Sequence, residues 1–326
     1  MGGAGVTETV VILDMMNPAR ADKLRALLPE GMVLTHGTER SEEHRCAIIA
    51  EADYAITGQV EVTGTVLRAA RRLKLLHKWG VGLDNIDLET AKACGIAVAR
   101  TTGSNAMAVA EHTMGLMLAA LRNIGYGHAE LREGRWAGGS MPQEARLLSG
   151  KTVGIVGFGA IGRSVARMVA SFGCTVLYNK PHPLPPAEER ALGVAYATVP
   201  EMLEKADVLS LHCPLVPETE NLIDAKALAA MKPSAVLVNV ARGGVVDEAA
   251  LVEALRNRAI HAAAVDVYEV EPVPADHPLL KLPNAVVTPH LAAGAADNFV
   301  PTVTRMFDNM RRFGRGEPIR DGDRVV

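Results

Sequence analysis

Three side chains with useful chemistry follow three apolar runs in the second half of the chain. Arg242 follows AVLVNV, Glu271 lies shortly after AAAVDV, and His290 closes AVVTPH. If these runs are parallel strands of a doubly wound sheet, ligands bind beyond their carboxyl ends, and the three groups converge on one crevice. Histidine titrates near neutral pH and can give or take a proton. A neighbouring carboxylate favours the imidazolium and orients the ring. Arginine's planar fork grips a carboxylate and keeps its charge. Taken singly, each has an ordinary reading: a solvated arginine, a loop glutamate before Pro272, a packing histidine. Together they suit proton delivery to a carbonyl oxygen beside a bound carboxylate.

What makes that set a site is the stretch KTVGIVGFGAIG, Lys151 to Gly162. Lys151 to Val156 has the apolar β-forming character of a buried parallel strand. Gly157, Gly159 and Gly162 follow at G-x-G-x-x-G spacing, a helix is predicted over Ile161 to Ser171, and another strand over Thr175 to Asn179. Gly157 suits a tight turn, Gly159 a close approach to a pyrophosphate, and Gly162 close helix–strand packing. The helix start offers N–H groups and a positive dipole end to phosphate. A dinucleotide cofactor is therefore expected. Hydride transfer between a nicotinamide and a 2-oxo acid needs the proton donor and fixed cation that the trio supplies.

These residues need elements to hold them. Residues 9–100 alternate short apolar runs with amphipathic segments, predicting a parallel α/β unit with strands at Thr9–Asp14, Met32–His36, Tyr54–Thr57, Leu73–Lys78 and Ile96–Ala99. No glycine run follows the first of these; TVVILDMMNP leads into Pro18. Asn105 to Leu121 is apolar nearly all round, predicting a buried helix with Ser104 as its N-cap. Residues 123–150 are glycine-rich and are expected to be irregular, either an arm around a partner subunit or a surface loop. Residues 151–290 form a second α/β unit. Its strands are expected near Val153–Val156, Thr175–Tyr178, Val208–His212, Val236–Val240, Ala262–Val267 and Ala285–Thr288, and a last helix near Ala295–Phe313. The expected fold class is α/β, with two Rossmann-like doubly wound parallel sheets.

Composition narrows the partners. The chain has 326 residues, 48% of them apolar and 22% charged, with a net charge of −3. That balance gives no electrostatic case for nucleic acid or an anionic membrane. No run of eighteen apolar residues predicts a membrane span. Cys46, Cys94, Cys174 and Cys213 are scattered, so no metal site or disulfide framework is expected. The start, MGGAGVTETV, lacks the basic and apolar regions of a secretory signal, and Val6 breaks the myristoylation pattern. A cytoplasmic protein with reduced cysteines is the expectation.

The sequence resembles the D-isomer-specific 2-hydroxyacid dehydrogenases, the family of phosphoglycerate dehydrogenases and hydroxypyruvate or glyoxylate reductases. The resemblance covers nearly the whole chain. It rests on KWGVGLDNIDL (78–88), NAMAVAEHT (105–113), TVGIVGFGAIGR (152–163), LHCPLVPETENLI (211–223), VNVARGGVVDEAALVEAL (238–255), AVDVYEVEP (264–272) and TPHLAAG (288–294). It implies that Arg242 binds the substrate carboxylate, that His290 is the acid/base and that Glu271 is its partner. Backbone N–H groups around Val81 and Gly82 are implied as a second hold on the carboxylate. Cofactor contacts are implied at Val109, Gly157, Gly159, Ala160, Ile161, Gly162, Asn179, Lys180, Cys213, Pro214, Val240, Ala241, Arg242, Asp266, His290, Ala292 and Ala293. Asp266 is expected near the nicotinamide amide. The resemblance further implies a homodimer and a substrate-binding lid domain (1–103 with 291–326), into which an NAD(P)-binding domain (104–290) is inserted. Hinges near Gly103 and Leu291 would let the cleft between the domains close.

Two positions depart from the family's pattern. Where the second nucleotide-binding strand usually ends in an acid, this chain has Asn179, followed by Lys180 and His182. None of these repels a 2′-phosphate, which favours NADP over NAD; the alternative is that Asn179 bonds the ribose and Lys180 is solvated. Thr102 stands where the family often has proline, which touches hinge stiffness. Lys78 is a candidate for an anionic substrate, with a surface lysine as the alternative reading. His112 and Glu111 are expected to cap or pack. A phosphoglycerate dehydrogenase, a phosphite-oxidising enzyme and a non-catalytic cofactor-sensing protein remain alternatives. With the sequence ending at Val326, an appended serine-sensing domain is not expected.

Overall fold

The computed structural model describes residues 7–326. Met1–Val6, where part of the leader reading falls, lie outside the described residues. Contacts divide the chain into two units, residues up to Asn105 with Ala295–Val326, and Ala106–Gly294.

The first unit is built on β1 (Glu8–Met15), α1 (Pro18–Arg25), β2 (Met32–Gly37), α2 (Glu42–Ile49), β3 (Tyr54–Thr57), α3 (Gly64–Ala69), β4 (Leu75–Lys78), α4 (Leu88–Ala93) and β5 (Ala97–Arg100). Its sheet is wholly parallel in the order β2-β1-β3-β4-β5. Alternate residues of one strand face opposite sides. Val10, Ile12, Tyr54, Ile56 and Leu75 therefore meet Val303, Met306, Phe307 and Met310 of the helix Phe299–Gly314. Val11, Leu13, Ala55, Leu76 and Val98 meet Ile49, Val66, Leu67 and Ala91 on the other face. Asn17, Ser41, Thr63 and Asp87 cap the four helices by accepting amide hydrogens. The last residues line the β5 edge: Val325 N donates to Val98 O at 2.8 Å, and Arg324 bridges Ala99.

A buried polar network ties this unit together. His77 is fully buried, with Nδ1 3.0 Å from Lys78 O and Nε2 3.1 Å from Asn309 Nδ2. Asn309 also donates to Asp323, which pairs with Arg305 and accepts from Thr102 N at 2.9 Å. Thr102 Oγ1 donates to Gly322 O. Thr102 thus ties the residues after β5 to the 322–323 turn.

The second unit runs α5 (Ala106–Arg122), α6 (Ile124–Arg132), β6 (Thr152–Val156), α7 (Ala160–Ala170), β7 (Thr175–Asn179), α8 (Pro186–Leu192), β8 (Val194–Tyr196), α9 (Val199–Lys205), β9 (Val208–Leu211), α10 (Ala225–Ala230), β10 (Val236–Asn239), α11 (Glu248–Arg256), β11 (Ala262–Val265) and β12 (Ala285–Val287). The parallel sheet has the order β12-β11-β10-β9-β6-β7-β8, so direction of growth reverses between β6 and β9. Such a switch point is where an open α/β sheet leaves a crevice. α5 packs on α7, β10 and β11, burying Val109, Ala110, Thr113 and Met117.

Several expectations need correcting. A seventh strand, β8, sits at the sheet edge; three residues with two of them exposed give no apolar run to detect. Residues 123–150 are not wholly irregular, since α6 lies there without one buried residue. Ser104 is not an N-cap: its Oγ is buried without a partner among the described residues. The last helix starts at Phe299, behind a 3-10 turn at Ala296–Asn298. Among the described residues, no helix is long and apolar enough to cross a membrane.

Candidate catalytic and dinucleotide site

The glycine loop follows β6 directly. Gly157 adopts φ +93°, and a Cβ there would lie on the backbone of His212 and Cys213. A Cβ at Gly162 would lie on Gly157 O. Both glycines are thus demanded by the protein's own packing. Gly159 differs, for a Cβ there meets nothing within 4 Å. Open space remains in front of it. Gly159 also N-caps α7 without a side-chain bond, and the first amide of the helix paired within it is Arg163's, to Gly159 O at 3.0 Å. The amides of Ala160 and Ile161 therefore face outward at a positive helix end, which fits a pyrophosphate.

The surrounding positions are arranged around this loop. Asn179 ends β7; its O accepts from Gly157 N at 3.0 Å and its Nδ2 donates to Ala197 O at 2.9 Å. Its Oδ1 has no protein partner among the described residues. Lys180 is half-buried and pairs with no acid among them; His182 is exposed. Burial pushes the Cys213 thiol up to about 11, so it stays protonated and inert. Pro214 and Ala293 are exposed, Val240 is half-buried, and Val109, Ala241 and Ala292 are buried.

Arg242, Glu271 and His290 come from three loops at the carboxyl ends of β10, β11 and β12. Arg242 has extended backbone; its carbonyl accepts from Asn239 Nδ2 at 2.9 Å and its Nη1 donates to Ala241 O at 2.7 Å. At Gly243 a Cβ would overlap the Tyr268 carbonyl and Glu269 N. Only glycine lets the Arg242 turn touch the loop that carries Glu271. The Gly243-Gly244 pair was visible in the sequence, and its packing role was not read from it.

His290 Nδ1 lies 2.7 Å from Glu271 Oε2, both side chains about one-third exposed (31% and 33%). Glu271 Oε1 accepts from Tyr268 N at 3.1 Å. Burial raises the Glu271 carboxyl, yet the His290 hydrogen bond and the charges of His290 and Arg242 outweigh it, so the group lies below the ordinary carboxylate range. A carboxylate bonded to Nδ1 fixes the ring's orientation and leaves Nε2 open for proton exchange. Among the described residues Nε2 has no partner.

His290 itself has φ +52°, a left-handed conformation uncommon outside glycine. Asp266, fully buried, holds it there. Asp266 O accepts from His290 N at 2.7 Å. Its carboxylate accepts from Thr288 Oγ1 at 2.5 Å, Leu291 N at 2.9 Å and Ala292 N at 2.9 Å. Asp266, expected near the nicotinamide amide, thus binds the Thr288–Ala292 turn with both carboxylate oxygens. His112 Nε2 lies 3.3 Å from Thr288 Oγ1 and 3.5 Å from Asp266 Oδ1, so this helix histidine reaches the same turn rather than merely packing.

Lys78, Val81 and Gly82 belong to the first unit. Lys78 is not a surface lysine: it is buried, and its ammonium donates to Gly58 O and to Asn85 Oδ1 at 2.6 Å. Asp14 caps the same loop through Gly58 N at 2.5 Å and Gln59 N at 2.7 Å. Val81 and Gly82 are half-exposed, and Val81 O accepts from Arg100 at 3.2 Å.

Known proteins similar to this chain agree in kind. Residues 114–292 match the model of the D-isomer specific 2-hydroxyacid dehydrogenase NAD binding domain. A D-3-phosphoglycerate dehydrogenase of Mycobacterium tuberculosis is 41% identical over 86% of this chain. The chain spans about half the length of that relative, 52%. A hydroxypyruvate reductase of Thermotoga maritima is 40% identical over 77% of this chain and 81% of its own. The crystal structure of an NADPH-dependent glyoxylate/hydroxypyruvate reductase from Sinorhizobium meliloti, in complex with NADP and malonate, matches with a TM-score of 0.86. It is 30% identical and covers 98% of this chain and 97% of its own. The chain therefore belongs to the D-isomer specific 2-hydroxyacid dehydrogenase family.

Proposed function

We propose that this protein is an NAD(P)-dependent oxidoreductase that interconverts a small D-2-hydroxy acid and its 2-oxo acid, in the manner of a hydroxypyruvate or glyoxylate reductase. The observation that carries the reading is the 2.7 Å His290–Glu271 pair at the strand ends that also carry Arg242. When bound, the nicotinamide supplies or accepts the hydride at the substrate's C2. His290 gives the ketone oxygen its proton during reduction and takes it back during oxidation. Glu271 stabilises the imidazolium that this requires. Arg242 grips the substrate carboxylate, and the Val81 and Gly82 amides hold it from the first unit's turn. The first unit serves as the substrate domain.

The cofactor is NADP in preference to NAD. Asn179 removes the repulsion of a 2′-phosphate, and Lys180 has no acid to neutralise it among the described residues. The protein works as a homodimer in the cytoplasm, with residues 123–150 as an arm; α6 buries nothing and Trp136 is 88% exposed. Apolar side chains displayed this way ask for a partner surface. The second reading, D-3-phosphoglycerate dehydrogenase, is favoured by the 41% identity to the mycobacterial enzyme.

The experiment is steady-state reduction of glyoxylate and hydroxypyruvate with NADPH and with NADH, in wild type and His290→Asn. Turnover that the variant loses by orders of magnitude, with cofactor affinity retained, supports the reading. Tight cofactor binding without turnover of any 2-oxo acid moves a sensing protein to the front.

A further inference from the structure

Lys78, Arg100 and Arg20 stand at the carboxyl edge of the first sheet, and the first two are held by neighbouring loops of that edge. Lys78 donates to Gly58 O and Asn85, and Arg100 donates to Val81 O. Arg20 is different. Its guanidinium lies 4.7 Å from the centroid of the Trp79 ring, and among the described residues no carboxylate or carbonyl accepts from it. Its backbone N–H is already tied to Asn17 Oδ1 at 2.8 Å. Helix stability does not explain an arginine here, because the first turn of α1 holds no acid and a helix start disfavours a cation.

The ring beneath it is firmly placed. Trp79 N donates to Thr57 O at 2.8 Å, and the half-buried indole packs at 5.9 Å against Phe299. A guanidinium lying on an aromatic face keeps its N–H groups directed outward in its own plane, ready for a planar or tetrahedral anion. Trp79 directly precedes Gly80, which turns with φ +126° into Val81 and Gly82. The outward fork is therefore set over the residue that leads into the amides proposed to hold the substrate carboxylate.

We infer that Arg20, supported by Trp79, receives a second anionic group at the far end of the substrate. The site then selects 2-oxo acids with a carboxylate or phosphate tail over glyoxylate, which has no tail. This rests on the reductase reading above and adds a residue that sets its specificity.

The test compares wild type, Arg20→Gln, Arg20→Lys and Trp79→Leu as full-length proteins. kcat and KM are measured for oxaloacetate, phosphohydroxypyruvate and glyoxylate, with cofactor binding followed separately by fluorescence. In Arg20→Gln the ratio of kcat/KM for the preferred anionic tail to that for glyoxylate falls at least tenfold, chiefly through KM. Arg20→Lys, which keeps charge and loses the fork, falls between. Whichever tail shows the loss, carboxylate or phosphate, is the group recognised. Unchanged ratios for both tails overturn the inference, as does a loss shared equally with glyoxylate and accompanied by a lower melting temperature. A wild type that reduces glyoxylate with no advantage for either tail overturns it while leaving the reductase reading intact. A wild type that binds cofactor and reduces nothing overturns both.

Discussion

Replacing Asp266 by asparagine tests how His290, the proposed acid/base, is held. The buried carboxylate accepts three hydrogen bonds, from Thr288 Oγ1, Leu291 N and Ala292 N, at 2.5 to 2.9 Å. A hydrogen bond to a charged group contributes about 1.5–3 kcal/mol. Asparagine keeps one acceptor oxygen and turns an NH2 group toward the donors of the other side. The loss is then about 2–3 kcal/mol, one charged bond with a donor left unpaired. His290 meanwhile sits at φ +52°, a conformation that costs on the order of 1–3 kcal/mol and persists only under external restraint. With the restraint weakened, the turn relaxes and the proposed proton donor leaves its place. Two to three kcal/mol corresponds to a drop in kcat of roughly 30- to 150-fold. The assay is steady-state reduction at saturating cofactor, with cofactor affinity and thermal melting measured alongside. If kcat stays within threefold of wild type while the melting temperature drops, Asp266 serves the fold and the argument about the turn is wrong.

Other perturbations follow from the same geometry. His77 is fully buried, and burial holds its imidazole at about 4, against an ordinary value near ~6.5. The unfolded chain takes up that proton first, so stability is complete above about pH 6.5 and falls as pH drops toward 4, by about 3 kcal/mol. His77→Asn should flatten that part of the stability profile in denaturant titrations; an unchanged slope assigns the acid sensitivity to other groups. Asn179→Asp should lower the ratio of kcat/KM for NADPH to that for NADH at least tenfold, and an unchanged ratio would remove Asn179 from cofactor choice. Trp136→Ser should shift sedimentation toward monomer at micromolar concentration, whereas an unaltered profile would leave the 123–150 segment as a surface loop.

The central site was legible because its residues follow strands whose runs are continuous and apolar. The glycine fingerprint and the positions of Arg242, Glu271 and His290 all came from that pattern. What stayed hidden depends on contacts that no local pattern encodes. Asp266 follows one strand and Ala292 lies beyond another, and only their pairing past β11 and β12 gives the carboxylate its work. Lys78 reads as a surface lysine until Gly58 O and Asn85 are folded over it. His112 sits in an apolar helix, and nothing nearby in sequence points to Thr288. Ser104 had the right residue type for a cap, but the helix begins at Ala106 with the hydroxyl buried behind it. β8 was missed because a three-residue edge strand has one buried side chain and so almost no signal.

The first unit's dependence on Val303, Met306, Phe307 and Met310 has a consequence for synthesis. These residues cover much of one face of a sheet whose strands left the ribosome roughly two to three hundred residues earlier. Ala106–Gly294, by contrast, is continuous in sequence and can form its core as soon as it emerges. Assembly therefore reverses the common order in which the N-terminal part folds first. The earliest strands wait with Ile12, Ile56 and Leu75 only partly covered until the last helix arrives. A nascent chain stalled after Gly294 should show a protease-resistant second unit and a first unit that is still digested and still bound by chaperones.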